Sequence, residues 1–138
     1  MGYCMNKRES LFNIRPENQG PALKAIKSLA DKETITDGSG RHFSWVDTKD
    51  FLFARTLDAA MRAWRWQLER VDDEICDIYF EGSKLGDDEL LFQTIAPYVE
   101  PGSYIEMQGE DGLIWRWCFD GKTCTEKTAK IIWEDEEE

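Results

Sequence analysis

Two Asp-Gly pairs in series, Asp111-Gly112 and Asp120-Gly121, constrain the fold of this chain more than any other feature. Asp-Gly between alternating runs is a leading local signal for a tight β-hairpin, because glycine accepts the positive φ such turns need. The flanking runs are 103–110, 113–119 and 123–133, so the last third predicts a three-stranded antiparallel meander. In its middle strand Leu113, Trp115, Trp117 and Phe119 point one way, and Ile114, Arg116 and Cys118 point the other. Ile131 and Trp133 share a face of the last strand. A two-residue turn at Asp120-Gly121 sets Cys118 opposite Thr123, which leaves the thiols of Cys118 and Cys124 on opposite faces.

The rest of the chain predicts three helices and several short strands. Residues 10–15 read as a strand with Phe12 and Ile14 on one face. Pro21 suits a first helical position, and Leu23, Ile26, Leu29 and Ala30 follow on one helical face. The stretch 33–36 and the run 42–46 flank a Gly-rich turn and could pair as a hairpin; 48–55 is open between a helical turn and an extended run. Thr56 is an N-cap for a second helix, whose stripe is Leu57, Ala60, Met61 and Trp64. Trp66 then lies roughly opposite that stripe. The charged stretch 69–74 reads as a turn, and 75–80 as a strand with Cys76, Ile78 and Phe80 on one face. Asp87 caps a third helix, with Leu91, Ile95, Tyr98 and Val99 as its apolar stripe and Pro97 disturbing its last turn. One-striped helices need a sheet face to cover them. The expected fold class is therefore α+β: an antiparallel sheet ending in the meander, with about three helices packed mainly on one face. Residues 1–133 form the expected single domain and 134–138 an acidic tail.

Charge narrows the function classes. The chain carries 28 acidic and 17 basic residues, a formal net charge of −11. Binding a nucleic-acid backbone needs clustered Lys and Arg to release counterions, so no direct contact of that kind is expected. An anionic membrane surface is equally disfavoured, and no apolar run of about 18 residues predicts a transmembrane helix. The N-terminal stretch lacks a signal-peptide apolar core, which points to a cytoplasmic protein with reduced thiols.

Candidate chemistry is sparse. Cys4, Cys76, Cys118 and Cys124 form no Cys-x-x-Cys pair, and His42 has no Cys beside it, so no zinc site is expected. Neither acid cluster, Asp72-Asp73-Glu74 or Asp87-Asp88-Glu89, has the alternation of a calcium loop. His42 lacks an evident nucleophile and orienting acid, and no phosphate-binding, dinucleotide or hydrolase motif is present. No catalytic residue, metal or cofactor is assigned. The Gly109-Glu110-Asp111-Gly112 element stands out as an acidic, exposed loop tip close to two tryptophans. Glu110, Asp111, Trp115 and Trp117 are the candidate partner-binding residues, the acids to grip an Arg or Lys and the aromatics to supply area. Alternating Trp in a strand also fits a core, and only an uncovered meander face would make these a surface patch.

Two segments carry a resemblance. Phe80-Glu81-Gly82-Ser83-Lys84-Leu85-Gly86-Asp87 and Gly109-Glu110-Asp111-Gly112-Leu113-Ile114-Trp115-Arg116-Trp117 resemble small uncharacterised proteins of bacteria, phages and mobile elements. The resemblance covers mainly residues 78–124. It implies a bacterial or phage-derived intracellular protein and carries over no catalytic or binding residue. The expected function is that of a non-enzymatic acidic interaction protein, such as a mobile-element inhibitor or regulator, binding a basic protein surface. The alternative is a small enzyme whose catalytic carboxylates come together only in the fold.

Overall fold

The computed structural model describes residues 2–29, 45–46, 48–130 and 132–134. The predicted strand 33–36, most of 42–46 including His42, residue Ile131, and tail residues 135–138 lie outside the described residues.

The meander forms where the Asp-Gly pairs place it. Strands β4 (Tyr104–Gly109), β5 (Ile114–Phe119) and β6 (Cys124–Thr128) pair antiparallel in order, and β1 (Met5–Leu11) pairs antiparallel with β4 to give the sheet β1-β4-β5-β6. Gly112 takes φ 88°, and its N–H donates to Gly109 O at 2.9 Å to close the first turn. The second turn is longer than expected. Phe119 faces Cys124 and Cys118 faces Thr125, so four residues form the loop rather than two. The reason is the Asp120 carboxylate, which accepts from Lys122 N–H at 2.8 Å and from Thr123 N–H at 2.7 Å and so holds both residues in the turn. A two-residue shift leaves side-chain faces unchanged, and the two thiols still stand on opposite faces. β6 ends at Thr128, short of the expected residue 133. Trp133, expected to share a face of that strand with Ile131, lies beyond it and is 67% exposed.

Four α-helices occur among the described residues: α1 (Pro16–Lys27), α2 (Thr48–Leu52), α3 (Leu57–Ala63) and α4 (Asp88–Ile95). α1 begins at Pro16, not Pro21, because Pro16 occupies the first helical position; Pro21 sits inside, where Glu17 loses one backbone donor. α3 has the expected cap, Thr56 accepting from Ala59 N–H at 3.1 Å, and Trp64 is fully buried at its end. α4 gives way to a 3₁₀ turn at Ala96–Tyr98, where Pro97 sits.

Three strand assignments differ from the sequence reading. β1 lies earlier than 10–15; Phe12 and Ile14 are buried just beyond it, and Ile14 makes a two-bond bridge to Ile75. Residues 66–71 form a strand, β2 (Trp66–Val71), hairpinned onto β3 (Glu74–Phe80) through Asp72-Asp73. Arg65 at φ 76° turns the chain out of the helix, so both Trp64 and Trp66 reach the core. Cys76 is the extra residue of a bulge, since Glu69 pairs with Asp77 while Arg70 pairs with Ile75. The bulge resets the alternation, so Ile75 rather than Cys76 joins Ile78 in the core, while Phe80 keeps the expected face and packs on Trp66 at 4.6 Å.

These elements cover the meander face that carries Trp115, Trp117 and Phe119. Phe92 of α4 packs on Trp117 (ring centroids 5.0 Å apart) and on Trp66 (5.0 Å), and Trp66 meets Trp117 edge-on at 6.2 Å. Asp88 anchors this junction from a fully buried position. It accepts from Arg65 Nη2 at 3.0 and 2.9 Å, Trp66 Nε1 at 2.9 Å and Gly86 N–H at 2.9 Å. The opposite sheet face is polar: Arg116 pairs with Glu106 at 2.7 Å and lies 4.5 Å over the Tyr104 ring.

Candidate functional site at the acidic turn

The acidic turn is exposed, but its carboxylates already have partners in the chain. Glu110 Oε1 accepts from Cys4 N–H at 2.6 Å, and Asp111 Oδ1 accepts from the Tyr3 hydroxyl and from Leu113 N–H at 3.1 Å. The Tyr3 bond is the main reason Asp111 titrates below the usual carboxylate range; the same bond pushes Tyr3 up to about 12. Gly109 makes the contact possible, since a Cβ there would overlap the Tyr3 ring. Glu110 and Asp111 thus fasten the segment before β1 across the end of the sheet.

Trp115 and Trp117 do not form a surface patch. They are 4% and 1% exposed, because α4 and the β2–β3 hairpin cover their face of the sheet. Both nevertheless line a cleft of about 310 Å³, together with Tyr3, Leu85, Leu113, Glu89 and Glu126. The Tyr3 ring lies 6.3 Å from Trp115, and Trp115 meets Trp117 edge-on at 5.9 Å. Of the four expected site residues, Trp115 and Trp117 line the cleft; Asp111 holds the tyrosine that lines it with them, and neither Asp111 nor Glu110 lines it.

The acids of the cleft are ones the sequence reading did not single out for binding. Glu89 stands in the first turn of α4 and was accounted for as a helix-end acid. Glu126 lies on β6 directly opposite Trp117, on the meander's aromatic face. Both are exposed. Burial pushes Glu126 above the usual carboxylate range, and hydrogen bonding and charge repulsion with Glu89 push it the same way; the Trp117 indole works against them. The two carboxyls come from α4 and β6 and line the same cleft. The buried indole N–H of Trp115 closes no hydrogen bond, and a buried donor left this way calls for an acceptor. The signal for Glu126 was the alternation Cys124, Glu126, Thr128, but its opposition to Trp117 depends on a turn length that Asp-Gly alone does not set.

Among the described residues no group of three or more His, Cys, Asp or Glu could hold a metal ion, and no helix is long and apolar enough to cross a membrane. Comparison with protein-family models, curated proteins and solved structures gives no match.

Proposed function

We propose that this chain is a non-enzymatic acidic interaction protein that receives a Lys or Arg side chain of a basic protein partner in the Glu89–Glu126 cleft. The observation that carries the reading is the pairing of two carboxyls from separate elements over a cleft lined by Tyr3, Trp115 and Trp117. An incoming ammonium or guanidinium meets both carboxyls, and its alkyl stem lies against aromatic surface. The net charge of −11 favours encounter with a basic surface. Glu110 and Asp111 act mainly by holding Tyr3 and the first strand, with their remaining oxygens adding to the field. A reducing cytoplasm suits the four free thiols. A bacterial or mobile-element regulator that works by occupying a basic surface is consistent with these properties.

The enzymatic alternative draws on the same pair, since these carboxyls do assemble only in the fold. The test is a tryptophan-fluorescence titration with a Lys-rich peptide, using wild type and the Glu89→Gln/Glu126→Gln double variant. Affinity lost in the double variant supports the reading; equal affinity contradicts it. Turnover of a glycoside substrate that Glu126→Gln abolishes would move the assignment to an enzyme.

A further inference from the structure

The two edges of the sheet differ. Near its start β1 is occupied: Met5 N–H donates to Ser83 O at 2.9 Å, and Leu85 N–H donates to Tyr3 O at 2.7 Å. β6 ends the sheet order with no strand beyond it among the described residues. Its backbone directions follow from the register. Ala129 N–H donates to Ile114 O at 2.9 Å, so Ala129, Lys127 and Thr125 turn their backbone groups toward β5. Cys124, Glu126 and Thr128 therefore turn theirs to the free edge. The same three residues carry side chains on the aromatic face, the face into which the cleft opens.

We propose that the free edge of β6 accepts an extended basic segment of a partner protein as an added antiparallel strand, with the residue opposite Glu126 sending its Lys or Arg side chain into the cleft. This inference rests on the cation-receiving reading above and adds the geometry by which the partner docks. A residue hydrogen-bonded opposite Glu126 has its side chain on the same face as Glu126. Its cation then meets Glu126 and Glu89 together. Main-chain bonds supply affinity and the cleft supplies selectivity, as in other strand-addition complexes. A second copy of this chain fits poorly, because antiparallel β6–β6 pairing centred on Glu126 sets two glutamates side by side.

The probe is acetyl-Thr-Val-Thr-Lys-Thr-Val-Thr-amide, whose Lys and Val side chains share one face of a strand. Three relatives accompany it: one N-methylated at Lys and both Val, one N-methylated at the two Thr flanking Lys, and one with Glu in place of Lys. Binding is followed by tryptophan fluorescence and by amide exchange at Glu126 and Thr128. The parent peptide should bind and slow exchange at both amides. Methylation at Lys and Val should weaken binding by about ten-fold or more, and methylation at Thr by less than about three-fold. Equal binding of the two methylated peptides and the parent overturns strand addition while leaving the cation-receiving cleft intact. Equal binding of the Lys and Glu peptides, or none by the parent up to about 5 mM, overturns the cleft reading and this inference with it. A concentration-dependent dimer that protects the Glu126 and Thr128 amides also overturns it, in favour of a second copy.

Discussion

Replacing Asp88 by Asn tests the junction on which the cleft is built. The substitution keeps the side-chain shape and removes the charge. Arg65, whose side chain is 14% exposed, then keeps its cation beside a neutral amide, and the Asn NH2 group displaces one of the three donor atoms that Asp88 now satisfies. Breaking a buried ion pair by neutralising one partner costs about 3–5 kcal/mol, and a buried donor left unsatisfied costs about 1–3 kcal/mol. These overlap, so a loss of about 3–5 kcal/mol is expected, a large fraction of the 5–15 kcal/mol typical of a domain. Removing the cation as well, in Arg65→Met/Asp88→Asn, should recover part of that loss, because the uncompensated charge is then gone. Urea denaturation followed by tryptophan fluorescence reads both variants, provided the slope is unchanged. A loss below about 1 kcal/mol for Asp88→Asn, or a double variant no more stable than Asp88→Asn, refutes the reasoning.

Trp64→Ala should cost about 3–5 kcal/mol in chemical denaturation, since the ring is fully buried and packs at 5.6 Å from Phe51; a loss under about 1 kcal/mol counts against that packing. Gly109→Ala should displace Tyr3 and return Asp111 toward the ordinary carboxylate range, read by carboxyl NMR titration; an Asp111 that titrates as in wild type counts against the lock. Glu126 titrates above its unfolded value, so its contribution to stability is fully present below the unfolded pKa and is lost as pH rises through the folded one. Glu126→Gln should therefore gain relative to wild type as pH rises across and just above the ordinary carboxylate range, in urea midpoints taken from about pH 4 to 7; parallel profiles would contradict the raised Glu126 titration.

Local signals made the end of the chain legible and left the middle obscure. Asp-Gly between alternating residues specified β4, β5 and β6 because turn chemistry and period act within a few residues. Trp66 and Leu68 also alternate, but they follow the apolar stripe of α3 without punctuation. The break at Arg65 comes from packing two tryptophans and an ion pair rather than from a Gly or Pro. The bulge at Cys76 was hidden for a similar reason, since it depends on which partner residues it must face. At the site, Glu110 and Asp111 were visible as a charged turn, but their bonds to Cys4 and Tyr3 join residues more than 100 positions apart. Glu89 and Glu126 looked like ordinary surface acids until the helix and the edge strand brought them together. The tryptophans fitted both core and contact surface in sequence, and the structure makes them core residues that line a cleft.

The most direct measurement of the central claim is an NMR search for intermolecular contacts between the Lys ε-methylene protons of the bound peptide and the indole protons of Trp115 and Trp117. Contacts to one or both rings, lost in Glu89→Gln/Glu126→Gln, are the predicted result. A bound peptide whose lysine instead contacts the Glu110–Asp111 turn, with no contact to either indole, would contradict the account.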